Sequence, residues 1–325
     1  MRGLSALPRP TLSVWTGVVT VAVVALTGFA IITEDRYWMF FAGLLLAYSL
    51  FASSLDLLVG YAGLLAFSHA AFFGVGGYVF AIAVSDYDLH PVLALGLVTV
   101  IAAVLGCVIG LLGARLREIQ FAIVMLAVGQ LFWTIAGQLR SVTGGDDGRV
   151  VIRSEVLPEI LAGPRGFLIL ALVISLGGIL ILRTVVRSPF GMLLWATHTQ
   201  EERLPFMGYD IGRVRMIAMV IAGVIAAWAG CIFVLQAQFV DPSMLYWTTT
   251  ATALVAIIVG GTRTIVGGVV GTAFYLLLED SLSSVTENWM IAVGAVLVLV
   301  ILFAPGGLLG VMSKPQKSHA MESSK

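Results

Sequence analysis

The sequence predicts an all-α, polytopic membrane protein of about ten transmembrane helices. Composition is the first reason. The 325 residues are 59% hydrophobic and 11% charged, with a mean hydropathy of +1.03, whereas a water-soluble chain carries about a quarter charged residues. Segment length is the second. About 20 apolar residues in a helix cross the roughly 30 Å of hydrocarbon, and ten segments reach or approach that length. Charge placement is the third, because the arginines alternate between dense and sparse loops.

The spans fall near 13–32, 39–59, 64–85, 91–113, 120–139, 166–186, 216–239, 248–261, 265–283 and 289–304. The first follows Arg2 and Arg9, as a signal peptide would. No small-x-small cleavage site follows Ile32, and Glu34-Asp35-Arg36 leads directly into the next span, so it reads as an uncleaved helix. The eighth is short enough to be broken or partly interfacial. Cys107 and Cys231 lie in mid-span and read as apolar packing residues, not a disulfide or metal pair.

With the N-terminus inside, the inside loops collect Arg2, Arg9, Arg115, Arg117, the five arginines of 183–215, Arg263, and Lys314, Lys317 and Lys325. The outside loops keep Arg36, Arg140, Arg149, Arg153 and Arg165, together with the acids Asp86, Asp88, Asp241, Glu279, Asp280 and Glu287. The positive-inside rule therefore puts both termini in the cytoplasm. Residues 1–312 read as one transmembrane domain, with the inside loop 187–215 within it, and 313–325 as a disordered cytoplasmic tail.

Two loops stand out. The outside loop 140–165 contains TGGDDGRV and two prolines, a turn-forming composition. The inside loop 187–215 opens on Ser188-Pro189-Phe190-Gly191. A helix is expected from about Met192 to Arg203, with Gly208 closing it. Small residues recur at helical spacing in Ala62-Ala66-Ala70-Gly74, Ala222-Ala226-Gly230 and Gly267-Gly271, which reads as close helix packing. Two glycine-rich stretches, 60–78 and 259–271, each sit at the inner end of a span, where two halves of an internal repeat would place equivalent positions.

Several chemistries are excluded or lack support. A phosphate-binding loop of the ATPase type needs a lysine after its glycines, and all three lysines lie in the last dozen residues. The histidines 69, 90, 198 and 319 show no metal-ligand spacing, and no nucleophile motif occurs. No cofactor or nucleic-acid partner is expected, only membrane lipid around the spans. Within the spans, Asp56, Ser68, His69 and Gln130 are the polar groups that need a reason. Each is read either as a hydrogen bond between helices (for Asp56, a partner such as a backbone N–H) or as lining of a polar path.

GYAGLLAFSHAAFFGVGGY, FAIVMLAVGQLF, TGGDDG, the 187–215 loop, VGGTRTIVGG and LFAPGGLLGV occur in this order. Together they resemble the LivM-type permeases of branched-chain amino acid ABC importers, from about residue 38 to 311. The resemblance implies a type II importer-like fold. It implies as partners a second, LivH-like permease, two cytoplasmic ATPase subunits that bind the ATP, and a periplasmic or lipid-anchored solute-binding protein. It implies that the loop between the sixth and seventh spans couples to an ATPase, with His198, Glu201, Glu202, Arg203 and Gly208 as contacts. Gly60, Gly63, His69 and Gln130 are the expected pathway residues. The chain departs from the family's A-x-R-E-N-x-x-A-A-x-x-x-G coupling pattern, because Arg203-Leu204 replaces the small pair and Pro205 follows. Leu64-Leu65-Ala66 replaces the common Gln-x-Ser, and Gln130 stands where the family often has Glu. The rival readings are an ion-coupled secondary transporter with Asp56 as its essential carboxylate, and a membrane enzyme.

Overall fold

The computed structural model describes residues 13–114, 116, 118–284, 288–303 and 307–312. The predicted tail 313–325 and the residues Arg2, Arg9, Arg115, Arg117 and Glu287 lie outside them. Helices occupy all ten predicted positions: α1 (Ser13–Thr33), α2 (Arg36–Asp56), α3 (His69–Ser85), α4 (Pro91–Gly113), α5 (Glu118–Gln138), α6 (Pro164–Arg187), α8 (Ile211–Ala237), α9 (Trp247–Gly260), α10 (Val266–Ser283) and α11 (Trp289–Phe303), with α7 (Pro189–Thr199) between the sixth and seventh spans and α12 (Gly307–Met312) after the last. Five are long and apolar enough to cross a bilayer by length and composition, the shorter α9 being one of those that are not.

Three boundaries differ from the sequence reading. The third span begins at His69, not near residue 64. A π-helical turn, Leu57–Tyr61, extends α2, and 63–66 is non-helical although Leu64 and Ala66 are buried. Ala62 and Ala66 therefore belong to this irregular segment and not to a helical stripe. Irregular backbone at membrane depth is tolerated where protein covers it. The seventh span begins at Ile211, so Arg213 and Arg215 lie within α8. The loop helix runs Pro189–Thr199 and not Met192–Arg203. It is followed by 3₁₀ turns at Glu201–Arg203 and Pro205–Met207, the second closed by Gly208 at φ 83°.

Helices α2, α3 and α8 form the centre, and small residues let them approach. A Cβ on Gly230 would strike the Phe73 carbonyl, and one on Gly76 would strike Ala227. The α9–α10 hairpin closes the same way, with Gly271 against the Ala256 carbonyl. Lipid supplies no hydrophobic drive between helices, so this contact and interhelical hydrogen bonds hold the bundle.

Contacts between loops sort them onto two ends. On one, Arg215 donates to the Leu116 carbonyl (3.4 Å), and Arg263 lies 3.3 Å from His198. On the other, Arg165 pairs with Glu34, Arg149 pairs with Asp86, and the Tyr37 hydroxyl donates to Asp280 (2.6 Å). There β1 (Arg149–Val150) also pairs antiparallel with β2 (Phe239–Val240), beside the turn built on Gly144, Gly145 and Gly148. The grouping is the one that ten successive crossings require.

Candidate functional site

The polar chemistry of the loop end converges on Asp56. Its buried carboxylate accepts from the backbone N–H of Arg263 (2.9 Å), Thr264 (3.2 Å) and Ile265 (3.0 Å), which lie in the turn between α9 and α10. Ser53 donates to the Ile265 carbonyl (2.9 Å), and the Tyr61 hydroxyl donates to the Arg263 carbonyl (2.7 Å). The turn needs this support. Arg263 and Ile265 have φ of 66° and 55°, conformations that cost side-chain-bearing residues on the order of 1–3 kcal/mol each. Such strain persists where neighbours over-determine the backbone, and Asp56 does so here.

The same turn projects the Arg263 guanidinium outward. Nε donates to the Gly60 carbonyl (3.1 Å), Nη2 lies 3.3 Å from His198 Nε2, and Cζ sits 4.3 Å from the centre of the Trp195 ring. Arginine has no acceptor, so in this contact Nη2 donates and His198 Nε2 accepts. The ring's Nδ1 packs on Gly63, which has φ 70° and where a Cβ would collide with the imidazole. One arginine thus ties together the break after α2, the turn before α10 and helix α7.

The predicted residues fall into three groups. Gly60, Gly63 and His198 meet at Arg263. Glu201, Glu202, Arg203 and Gly208 lie beyond α7. Of these, Glu201 turns inward to Arg215 (3.0 Å), whose side chain is 6% exposed, while Glu202, Arg203 and Gly208 face outward. With them stand Phe206 (93% exposed) and Met207 (70%), an apolar tip on a charged loop. His69 and Gln130 join neither group. His69 is fully buried at the start of α3, its Nε2 lies 2.8 Å from Ser54 Oγ, its ring stacks on Phe51, and its Nδ1 has no hydrogen-bond partner in the structure. Gln130 is half-buried on α5, beside Gly129, which packs on the Phe67 carbonyl.

The sequence reading counted Arg263 only as a loop charge and did not single out Trp195. The available signal was one arginine inside a glycine-rich turn, VGGTRTIVGG. Asp56 takes the hydrogen-bonding role read for it from the sequence, its carboxylate satisfied by backbone N–H groups.

A family described as the permease component of branched-chain amino acid transport systems matches residues 37–304. The chain belongs to this family. It is 24% identical over 299 residues, covering 85% of this chain and 70% of the relative, to the high-affinity branched-chain amino acid transport system permease protein LivM of Escherichia coli (strain K12). It is 23% identical over 311 residues, 84% of this chain and 90% of the relative, to a probable LivM of Methanocaldococcus jannaschii. A shorter stretch of 164 residues, 48% of this chain and 46% of the relative, is 29% identical to the autoinducer 2 import system permease protein LsrC of Klebsiella pneumoniae. No solved structure matches. The chain is therefore a multi-pass, membrane-spanning permease subunit of an ABC importer, a transporter component and not an enzyme.

Proposed function

We propose that this permease carries branched-chain or closely related amino acids inward across a bacterial inner membrane, with both termini in the cytoplasm. Separate subunits hydrolyse the ATP, and a second permease and a solute-binding protein complete the importer. The loop from Arg187 to Asp210 docks on an ATPase. Glu202, Arg203, Phe206, Met207 and Gly208 form the docking tip, and α7 is the lever.

The clasp around Arg263 is the observation that carries this reading. A loop that merely obeyed the positive-inside rule would need no inward wiring. Here the inner face of α7 is bonded through His198 and Trp195 to Arg263. Through the backbone that Asp56 holds, Arg263 is joined to Ile265, the residue that leads into α10. Force on the tip therefore reaches a membrane-spanning hairpin through contiguous hydrogen bonds. Gly60 and Gly63 serve this path as the points where α7 and Arg263 approach the chain break. His69 and Gln130 are proposed as polar positions along the route of the solute, His69 through its unpartnered Nδ1 and Gln130 through its half-buried amide.

The test is the double substitution of Glu202 and Arg203 by alanine. Membrane insertion is expected to stay normal while ATP-dependent uptake falls about tenfold, equivalent to roughly 1.4 kcal/mol of lost coupling. Uptake at the wild-type rate contradicts the docking role.

A further inference from the structure

A cavity of about 220 Å³ opens between α2, α9 and α10. Since liquid water takes about 30 Å³ per molecule, it has room for several waters or one small solute. It is smaller than the roughly 300 Å³ at which drug-sized pockets begin. Its lining is polar for a membrane interior: Thr248, Thr252, Thr272, Tyr48, Tyr275 and Glu279. The spacing explains how. Thr248, Thr252 and Ala256 are four apart on α9, and Thr272, Tyr275 and Glu279 follow at three and four on α10, so each helix turns one face to the cavity. Ala253 and Ala256 leave the space unfilled.

Glu279 is the unusual member. Other acids have partners: Asp280 accepts from Tyr37, Asp56 holds three backbone N–H groups, and Asp86 pairs with Arg149. Glu279 is half-buried in a membrane helix, and among the described residues no cation pairs with it. An unpaired, half-buried carboxylate is costly and points to a bound partner. A lipid-facing fissure would have no use for a carboxylate and this many hydroxyls.

We propose that this cavity is a solute subsite for a small amino acid. The primary ammonium sits against the Glu279 carboxylate, and threonine and tyrosine hydroxyls donate to the solute's carboxylate. The assignment rests on the amino-acid importer reading above and deepens it. The cavity is also mechanically linked to the docking loop. Helix α10, which carries Thr272, Tyr275 and Glu279, starts at the turn held by Asp56 and Arg263, so movement of α7 reshapes the cavity wall.

The test uses the whole importer, purified from native membranes into proteoliposomes with ATP and assayed with radiolabelled L-leucine. Glu279→Gln is expected to raise KM about tenfold or more, the loss expected when a charge-assisted hydrogen bond becomes a neutral one. ATP hydrolysis by the complex should persist, and Glu279→Asp should recover part of the affinity. A purely structural glutamate would instead lower assembly and hydrolysis together. Leucine uptake by Glu279→Gln with wild-type KM overturns the subsite and leaves the importer reading standing. Absence of ATP-dependent leucine uptake by the wild-type complex overturns both. If Glu279→Gln does not assemble, Thr252→Val and Thr272→Val decide, and an unchanged KM in both overturns the subsite.

Discussion

Two polar inclusions interrupt this apolar bundle, and they are wired in opposite ways. At the loop end, buried Asp56 is satisfied by three successive N–H groups, and Arg263 above it is tied to the Gly60 carbonyl, His198 and the Trp195 face. In the cavity, no cation pairs with Glu279 among the described residues, and hydroxyls line an open space. A buried polar group is expensive unless satisfied. A saturated cluster therefore fixes geometry and transmits force, whereas an unsaturated one is completed by something that comes and goes. Both use α10, the first at its start and the second along its face.

The comparison breaks if substitutions in the two places have the same phenotype. The largest effect is expected at Arg263. Arg263→Ala removes the side-chain link between α7 and the α9–α10 turn, and uptake should fall by about a hundredfold, some 2.7 kcal/mol of coupling. Arg263→Lys should not restore it, because an ammonium cannot bond Gly60 and His198 while stacking on Trp195. Rapid uptake by either variant would remove the clasp from the mechanism.

Asp56→Ala comes next and should act on stability as well as transport. It strands three N–H groups, two of them on positive-φ residues, each unsatisfied donor costing about 1–3 kcal/mol. A drop in the Tm of the detergent-purified chain is expected, which Glu279→Gln should not share. The same experiment bears on the ion-coupled alternative, which requires Asp56 to be free to exchange a cation.

Gly63→Ala should be intermediate. The φ of 70° and the imbedded contact with His198 both resist a side chain, at about 1–2 kcal/mol for the backbone alone, so uptake is expected to fall severalfold with insertion unaffected. The smallest effect is expected for His198→Gln, whose amide oxygen can still accept from Arg263; a change in uptake of about twofold is anticipated, against a larger one for His198→Ala, which leaves the guanidinium short of an acceptor.

Much of the fold was legible because the signals are local. Hydrophobic runs located the helices, and charge grouped together loops that touch one another in the structure. Boundaries slipped for identifiable reasons. GYAGLLAFS is apolar throughout, so nothing in its composition announces that the chain leaves the helix after Tyr61 and resumes it at His69. Arg213 and Arg215 look like loop charges, yet long basic side chains reach polar partners from within a helix, as Arg215 does to Glu201. At the site, His198 and the two glycines could be singled out from motifs. Arg263 could not, since its partners lie 65 residues away at His198 and 203 away at Gly60. The cavity was hidden for the same reason: TTTAT at 248–252 reads as a short polar interruption of a weak span until α10 is packed against it.

The central claim is that the tip beyond α7 lies in the cytoplasm against an ATPase. Labelling of a Phe206→Cys variant with a membrane-impermeant maleimide tests it directly, since Phe206 is exposed while Cys231 is buried and Cys107 lies within α4. The predicted result is no labelling in intact cells, labelling in inside-out vesicles stripped of peripheral subunits, and protection when the ATPase is bound. Labelling from the outside of intact cells would contradict the account, because no nucleotide-hydrolysing subunit could then reach the tip.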